Sequence, residues 1–284
     1  MFVTLNLIQG LQVLTDARCC SPRRIRRGGK QVQHDRLKTG YYFVTFWKDN
    51  VFFILVEPQE PGNVGAAARA LQNMGFRNLE LVTPGYFRTK EAKRMAYQAY
   101  NLLKQAPVYA KFDDAIHDKH LIVGTTRRLG TRRGLIVPLE DSVRRIITTA
   151  KRNKVAIVFG RERNGLTNQE VNKCGLLVTI PSEPETPSLN LAQSVLLVAY
   201  ELSQKSYKTA SPELVKHENV IALYEKIAST LKLLAYIPRG DNDLEKQIMR
   251  NLKHLIGRSG LTEWELKMIF GICSQVEKKL KGDR

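Results

Sequence analysis

Three short stretches of this chain place small, charged and amide side chains where a buried apolar run gives way to polar sequence. The first, residues 57–76, sets Gly62, Asn63 and Gly65 ahead of an alanine-rich helical pattern that carries one base, Arg69. Glycine at a strand-to-helix turn lets backbone approach a ligand closely, and a helix N-terminus favours an anion. A phosphate group would suit such a turn, and so would tight packing of a small-residue helix on a sheet. The stretch is neither a Walker loop nor a Gly-x-Gly-x-x-Gly fingerprint. Arg69 favours a site, because a base on an alanine-rich face needs a partner or solvent.

The second stretch, residues 158–170, ends an apolar run at Gly160, continues with Arg161, Glu162 and Arg163, and reaches Thr167 and Glu170 at capping-box spacing. Ligands of parallel α/β folds lie at the carboxyl ends of strands, where Glu162 would stand. A solvated loop in which Arg161 or Arg163 pairs with Glu162 is the competing explanation. The third stretch, residues 180–193, carries Pro181, Pro184 and Pro187 and then Ser188, Leu189 and Asn190 at the mouth of an apolar helix over 189–202. Ser188 and Asn190 read equally as ordinary helix caps. That helix must be buried against the core or against another subunit.

Apolar runs at 51–56, 79–82, 121–124, 155–159 and 176–180 alternate with helical patterns, which predicts five buried parallel strands in an α/β domain over 51–208. From 209 to 284 the spacing becomes helical, through Val220, Leu223, Ile227, Leu231 and Leu234, then Leu244, Ile248, Leu252 and Leu255, then Leu266, Ile269, Ile272 and Val276. A helical appendage is expected there, its last helix opened by Thr262 and Glu265. Residues 1–50 are basic and aperiodic and read as a flexible arm, either an RNA-binding or targeting tail or an extension from an early start codon; the second is preferred, and no site is placed there.

The chain has 284 residues, 43% hydrophobic and 25% charged, which excludes a disulfide-dependent miniature fold and wholesale disorder. Its net charge of +18 draws polyanions, and nucleic acid is the first candidate. No apolar run is long enough to span a bilayer, no basic residue precedes the apolar start, and the four cysteines form neither a zinc knuckle nor a disulfide lattice. A cytoplasmic protein without a membrane segment is expected. His117 and His120 lie beside Asp113 and Asp114, but the four are read as surface groups rather than metal ligands.

Taken in order, the three stretches resemble the SpoU-type branch of the knotted SPOUT RNA ribose 2′-O-methyltransferases. Asn63 and Arg69 match the first family motif, Gly160 and Glu162 the second, and Ser188, Leu189 and Asn190 the third. The wordings Gly-Asn-x-Gly-x-x-Ala-Arg-Ala, Phe-Gly-Arg-Glu-Arg-x-Gly-Leu-Thr-Asn and Ser-Leu-Asn-Leu-Ala are closest to the TrmJ/LasT-like transfer-RNA group, which also has a helical C-terminal appendage. The resemblance implies a parallel sheet with helices on both faces, a C-terminal trefoil knot and a homodimer. Such a knot is an exception to ordinary chain topology and rests on the resemblance alone.

The resemblance further implies S-adenosyl-L-methionine as methyl donor, held by Thr125, Thr126, Arg127, Gly160, Ile180, Pro187, Ser188 and Leu189, with no metal. Arg69 would be the catalytic residue, as general base assisted by RNA phosphate or as a charged clamp that stabilises the developing alkoxide. Asn63, Glu162, Ser188 and Asn190 would position Arg69, the methionyl tail and the ribose, while Arg128, Arg132 and Arg133 would contact RNA phosphates. The loop at 124–130 departs from the group's usual Thr-x-Ala-Arg wording. Transfer RNA at the start of the anticodon loop, cytidine or uridine 32, is the expected substrate; ribosomal RNA and a non-catalytic knotted RNA-binding protein are the alternatives. A Rossmann-type methyltransferase is disfavoured, because no acidic-x-Gly-x-Gly-x-Gly loop follows the first strand.

Overall fold

The computed structural model describes residues 46–128, 135–183, 185, 188–237 and 242–282. The strands are β1 (Val51–Val56), β2 (Asn78–Val82), β3 (Val108–Tyr109), β4 (Leu121–Thr125), β5 (Ile136–Pro138), β6 (Val155–Phe159) and β7 (Leu176–Thr179). They form one sheet in the order β3-β2-β1-β6-β4-β7-β5, and every neighbouring pair is parallel. The five expected strands are present, and β3 and β5 are additional. Two or three residues show no periodicity of their own, so neither was visible as a strand in sequence.

Side chains alternate across a strand, and here both faces are dry. Phe53 and Leu55 of β1 pack beneath α1 (Pro61–Asn73), α2 (Lys90–Ala96), α3 (Tyr100–Gln105), α5 (Leu139–Ala150) and α7 (Leu191–Ser203). Ile54 and Val56 face the opposite layer, with α4 (Phe112–Ile116) and α6 (Asn168–Val171). Helices therefore cover both faces, as parallel connections require. Strand β7 lies between β4 and β5, so the chain joining those two must step across it. Thr125 pairs with Val178 and Ile136 with Leu177.

Three helices follow, α8 (His217–Leu233), α9 (Asn242–Ser259) and α10 (Glu263–Gly282), around Val215, Leu223, Tyr224, Ile256, Leu261 and Leu266. The Thr262 capping box is formed: its amide donates to Glu265 at 2.7 Å, and the Glu265 amide returns to the Thr262 hydroxyl at 3.4 Å. Leu255 and Ile272, which periodicity puts on apolar faces, are instead 56% exposed. Helix α9 meets the start of β7 glycine to glycine, where a Cβ on Gly257 would lie 2.3 Å from the Gly175 Cα. Among the described residues no helix is long and apolar enough to cross a membrane. The His117 ring meets the Asp114 carbonyl, and His120 Nδ1 accepts from the Lys154 amide.

Burial holds His217, at the start of α8, down at about 4, with Lys173 and Lys253 adding to the effect and Asp113 opposing it. An unfolded histidine takes up its proton near 6.5. Between those values the unfolded chain binds the extra proton, so stability is expected to fall by about 1–3 kcal/mol as pH drops through that window. Urea midpoints at pH 7 and 4.5 would show the loss, and His217→Gln should flatten it; an equal pH slope in both proteins would contradict this.

Candidate active site

Strands β1, β4, β6 and β7 deliver their carboxyl ends to one edge, and the loops leaving them build the site. The loop after β6 folds back on itself: Arg161 and Gly165 form an antiparallel bridge, the Gly165 amide donates to the Arg161 carbonyl at 2.8 Å, and Gly165 takes a left-handed φ of 63°. Gly160 lies in the crook of this hairpin. Arg161 fastens it by donating to Glu170 at 3.0 and 3.1 Å, while its Nε meets Glu57 at 2.8 Å. These bonds draw the Glu57 carboxyl below its usual range. Thr167 caps α6 with the full capping box that its spacing predicts.

Arg161 therefore does not neutralise Glu162, whose carboxylate accepts from the Gln59 amide at 2.9 Å, the Glu60 amide at 3.2 Å and Asn63 Nδ2 at 3.1 Å. Burial opposes its ionisation, but these donors outweigh burial and lower its pKa. The polarity then propagates. An ionised carboxylate only accepts, so Asn63 must offer its Nδ2 and keep Oδ1 free. Asn190 donates to that oxygen at 2.9 Å, leaving its own Oδ1 to cap α7 by accepting from the Ala192 and Gln193 amides at 2.8 and 3.4 Å. One directional chain of hydrogen bonds thus joins all three stretches found in sequence. Asn190 is a helix cap and a linker at once.

Glu162→Gln tests that polarity. A carboxamide facing three donors must point its own NH2 at one of them, so stability is expected to drop by about 1–2 kcal/mol, read from denaturant midpoints. An unchanged midpoint would mean that the chain does not need a charged acceptor.

Beside this chain lies a cleft of about 110 Å³. Thr125, Thr126, Arg127, Gly160, Ile180, Ser188 and Leu189 line it, together with Glu162 and Arg128. Phe159, Leu166 and Leu191 give it apolar walls, and Ser194, one helical turn beyond Asn190, adds a hydroxyl. None of these four was singled out in sequence; the i, i+4 relation of Ser194 to Asn190 was the available signal. Thr125 is fixed by its hydroxyl bond to the Val158 carbonyl at 2.9 Å, and the Thr126 amide bonds to Val178 at 2.9 Å. The cleft is smaller than the ~300 Å³ of typical small-molecule sites and is open at its mouth. Its lining is mixed: apolar walls and hydroxyls stand beside the Glu162 carboxylate and the four guanidinium groups of Arg127, Arg128, Arg161 and Arg163.

Arg69 stands apart from the cleft. It is exposed on α1, six residues or about 9 Å along the axis beyond Asn63. Its guanidinium carbon lies 5.4 Å from the Tyr97 ring centroid. Arg127, Arg128 and Arg163 are exposed at the cleft. Pro187, Arg132 and Arg133 lie outside the described residues. Helix α7 is buried against the core on one face, through Leu191, Val195, Val198, Ala199 and Leu202, whereas Leu196, Leu197 and Tyr200 face outward at 40%, 41% and 49% exposure.

Comparison with known proteins agrees with this geometry. Residues 50–200 match the model of the SpoU rRNA Methylase family. An "uncharacterized tRNA/rRNA methyltransferase" of Haemophilus influenzae is 36% identical over 240 residues, covering 82% of this chain and 96% of the relative. The tRNA (cytidine/uridine-2′-O-)-methyltransferase TrmJ of Citrobacter koseri is 33% identical over 242 residues, covering 82% and 98%. The crystal structure of TrmJ from Z. mobilis ZM4 superposes with a TM-score of 0.66 at 31% identity, covering 80% of this chain and 98% of that one. With its three stretches joined at the carboxyl edge of a parallel sheet, this chain belongs to the SpoU methylase family and is a methyltransferase.

Proposed function

We propose that the protein transfers a methyl group from S-adenosyl-L-methionine to a ribose 2′-hydroxyl of transfer RNA, at cytidine or uridine 32 at the start of the anticodon loop. The observation that carries this is the hydrogen-bonded chain from Glu162 through Asn63 to Asn190 beside a cleft lined by seven of the residues that the resemblance assigns to the donor: Thr125, Thr126, Arg127, Gly160, Ile180, Ser188 and Leu189. Phe159, Leu166, Ile180, Leu189 and Leu191 would flank the adenine, while Glu162 and the hydroxyls of Thr126, Ser188 and Ser194 would meet the donor's polar groups. The bound donor supplies a methyl group already activated by sulfonium charge. The protein's part is to align the ribose oxygen in line with that methyl and to ease loss of the hydroxyl proton.

Exposed Arg127, Arg128 and Arg163 beside the cleft suit phosphate contacts, so RNA capture should weaken with salt. The outward Leu196, Leu197 and Tyr200 of α7 suit a homodimer interface. A dimer accounts for the position of Arg69: the base would serve the cleft of a second copy, where it clamps a phosphate or the developing alkoxide. The strand order, with β7 between the consecutive strands β4 and β5, suits the expected knot. The free, buried Cys174 and Cys273 suit a reducing cytoplasm.

The test is incubation with methyl-labelled donor and unmodified transfer RNA, followed by digestion to nucleosides. Label in 2′-O-methylcytidine or 2′-O-methyluridine is expected. Label on a base, or label only in ribosomal RNA, would contradict the substrate assignment.

A further inference from the structure

Helix α2 ends in a conformation that its sequence does not favour. Its C-cap, Tyr97, has φ 51° and ψ −120°, the left-handed side of the map where glycine is the ordinary occupant. The local need is plain: the Tyr97 amide bonds back to the Lys93 carbonyl, and the chain turns at once into a short 3-10 turn, Tyr97–Ala99. Glycine would meet that need without strain. A tyrosine meets it with its Cβ crowded against the backbone, and it gains no burial in return, because the residue is 64% exposed. What the ring does touch is Arg69, whose guanidinium carbon lies 5.4 Å from the ring centroid.

We propose that Tyr97 is a positioning residue for Arg69: the exposed ring, carried on a left-handed helix end, holds the guanidinium of α1 in one orientation with its fork free to meet RNA. This rests on the functional reading above and adds a residue that the three sequence motifs do not contain. Arginine has long rotamer freedom, and an exposed arginine on a helix samples many orientations. Attraction of the cation to an aromatic face removes several of these without a hydrogen bond, and so without occupying the N–H donors. A residue that is unfavourable for its own backbone and unburied is thereby kept at a site where it restricts a functional side chain.

The test uses the full-length protein in five forms: wild type, Tyr97→Gly, Tyr97→Phe, Arg69→Ala, and Arg69→Ala combined with Tyr97→Gly. Tyr97→Gly relieves the backbone, so its Tm is expected to rise by a few degrees. Its kcat for RNA methylation is expected to fall about tenfold, with donor binding and oligomeric state unchanged. Tyr97→Phe keeps the ring and should keep kcat near wild type. In the Arg69→Ala background Tyr97→Gly should cause no further loss, because the two residues act through one another. A Tyr97→Gly protein of wild-type kcat would overturn the proposal, as would a full tenfold loss in the Arg69→Ala background. Loss of dimer in Tyr97→Gly would transfer the role to the interface and equally overturn it. A wild-type protein that transfers no methyl group would instead sink the functional reading, whatever Tyr97 does.

Discussion

Gly160→Ala is expected to abolish donor binding and to destabilise the protein by more than about 3 kcal/mol, because the added methyl has nowhere to go. An ideal Cβ at this position would lie 2.1 Å from the Gly165 carbonyl carbon and 2.2 Å from the Leu166 nitrogen. Both are backbone atoms, so no side chain can swing aside, and relief requires the hairpin to open. Opening it breaks the bridge between Arg161 and Gly165 and pulls Arg161 from Glu57 and Glu170. Glu162 then loses its place beneath the Gln59 and Glu60 amides. Thermal melting and titration with S-adenosyl-L-methionine would both register the change. A folded Gly160→Ala protein that binds the donor normally would mean that the hairpin is not the wall of the cofactor site.

Arg69→Ala should lower kcat by about 10²–10³ while leaving donor affinity intact, the size expected for removing one preorganised charge from a developing alkoxide. Arg69→Lys should also be impaired, since an ammonium lacks the planar fork that both versions of the mechanism use. Full activity in the lysine variant would defeat both versions. Because Arg69 stands clear of the cleft in its own chain, mixing gives a sharper result. Subunits carrying Arg69→Ala, exchanged with subunits carrying a cleft substitution such as Ser194→Trp, should regain about one quarter of wild-type activity, since half of random dimers are mixed and each has one complete site. No recovery would confine Arg69 to the cleft of its own chain.

The alternation of buried strands and helices and both capping boxes were legible in sequence because each is encoded locally, whereas the residues of the candidate cleft were named through the family resemblance. Thr167 with Glu170, and Thr262 with Glu265, are three-residue relations that one helical turn determines. Partners across the fold were less visible. Arg161 could have paired with its neighbour Glu162, yet it reaches Glu170 and Glu57, and the Glu57 contact is fixed only when β1 and β6 lie side by side. Asn190 has the sequence of an ordinary cap, and its bond to Asn63 across 127 residues is a property of the sheet order. The outward positions of Leu255 and Ile272 reflect tertiary packing that periodicity alone does not contain. Tyr97 gave no sequence signal because its interest lies in a backbone angle.

Calorimetric titration of the purified protein with S-adenosyl-L-methionine tests the central claim most directly. The account predicts one donor molecule bound per chain, displaced by S-adenosylhomocysteine, with binding lost in Ser194→Trp, which fills the cleft, and kept in Arg69→Ala. A folded wild-type protein that takes up no donor, or one whose donor binding survives filling of the cleft, would contradict it.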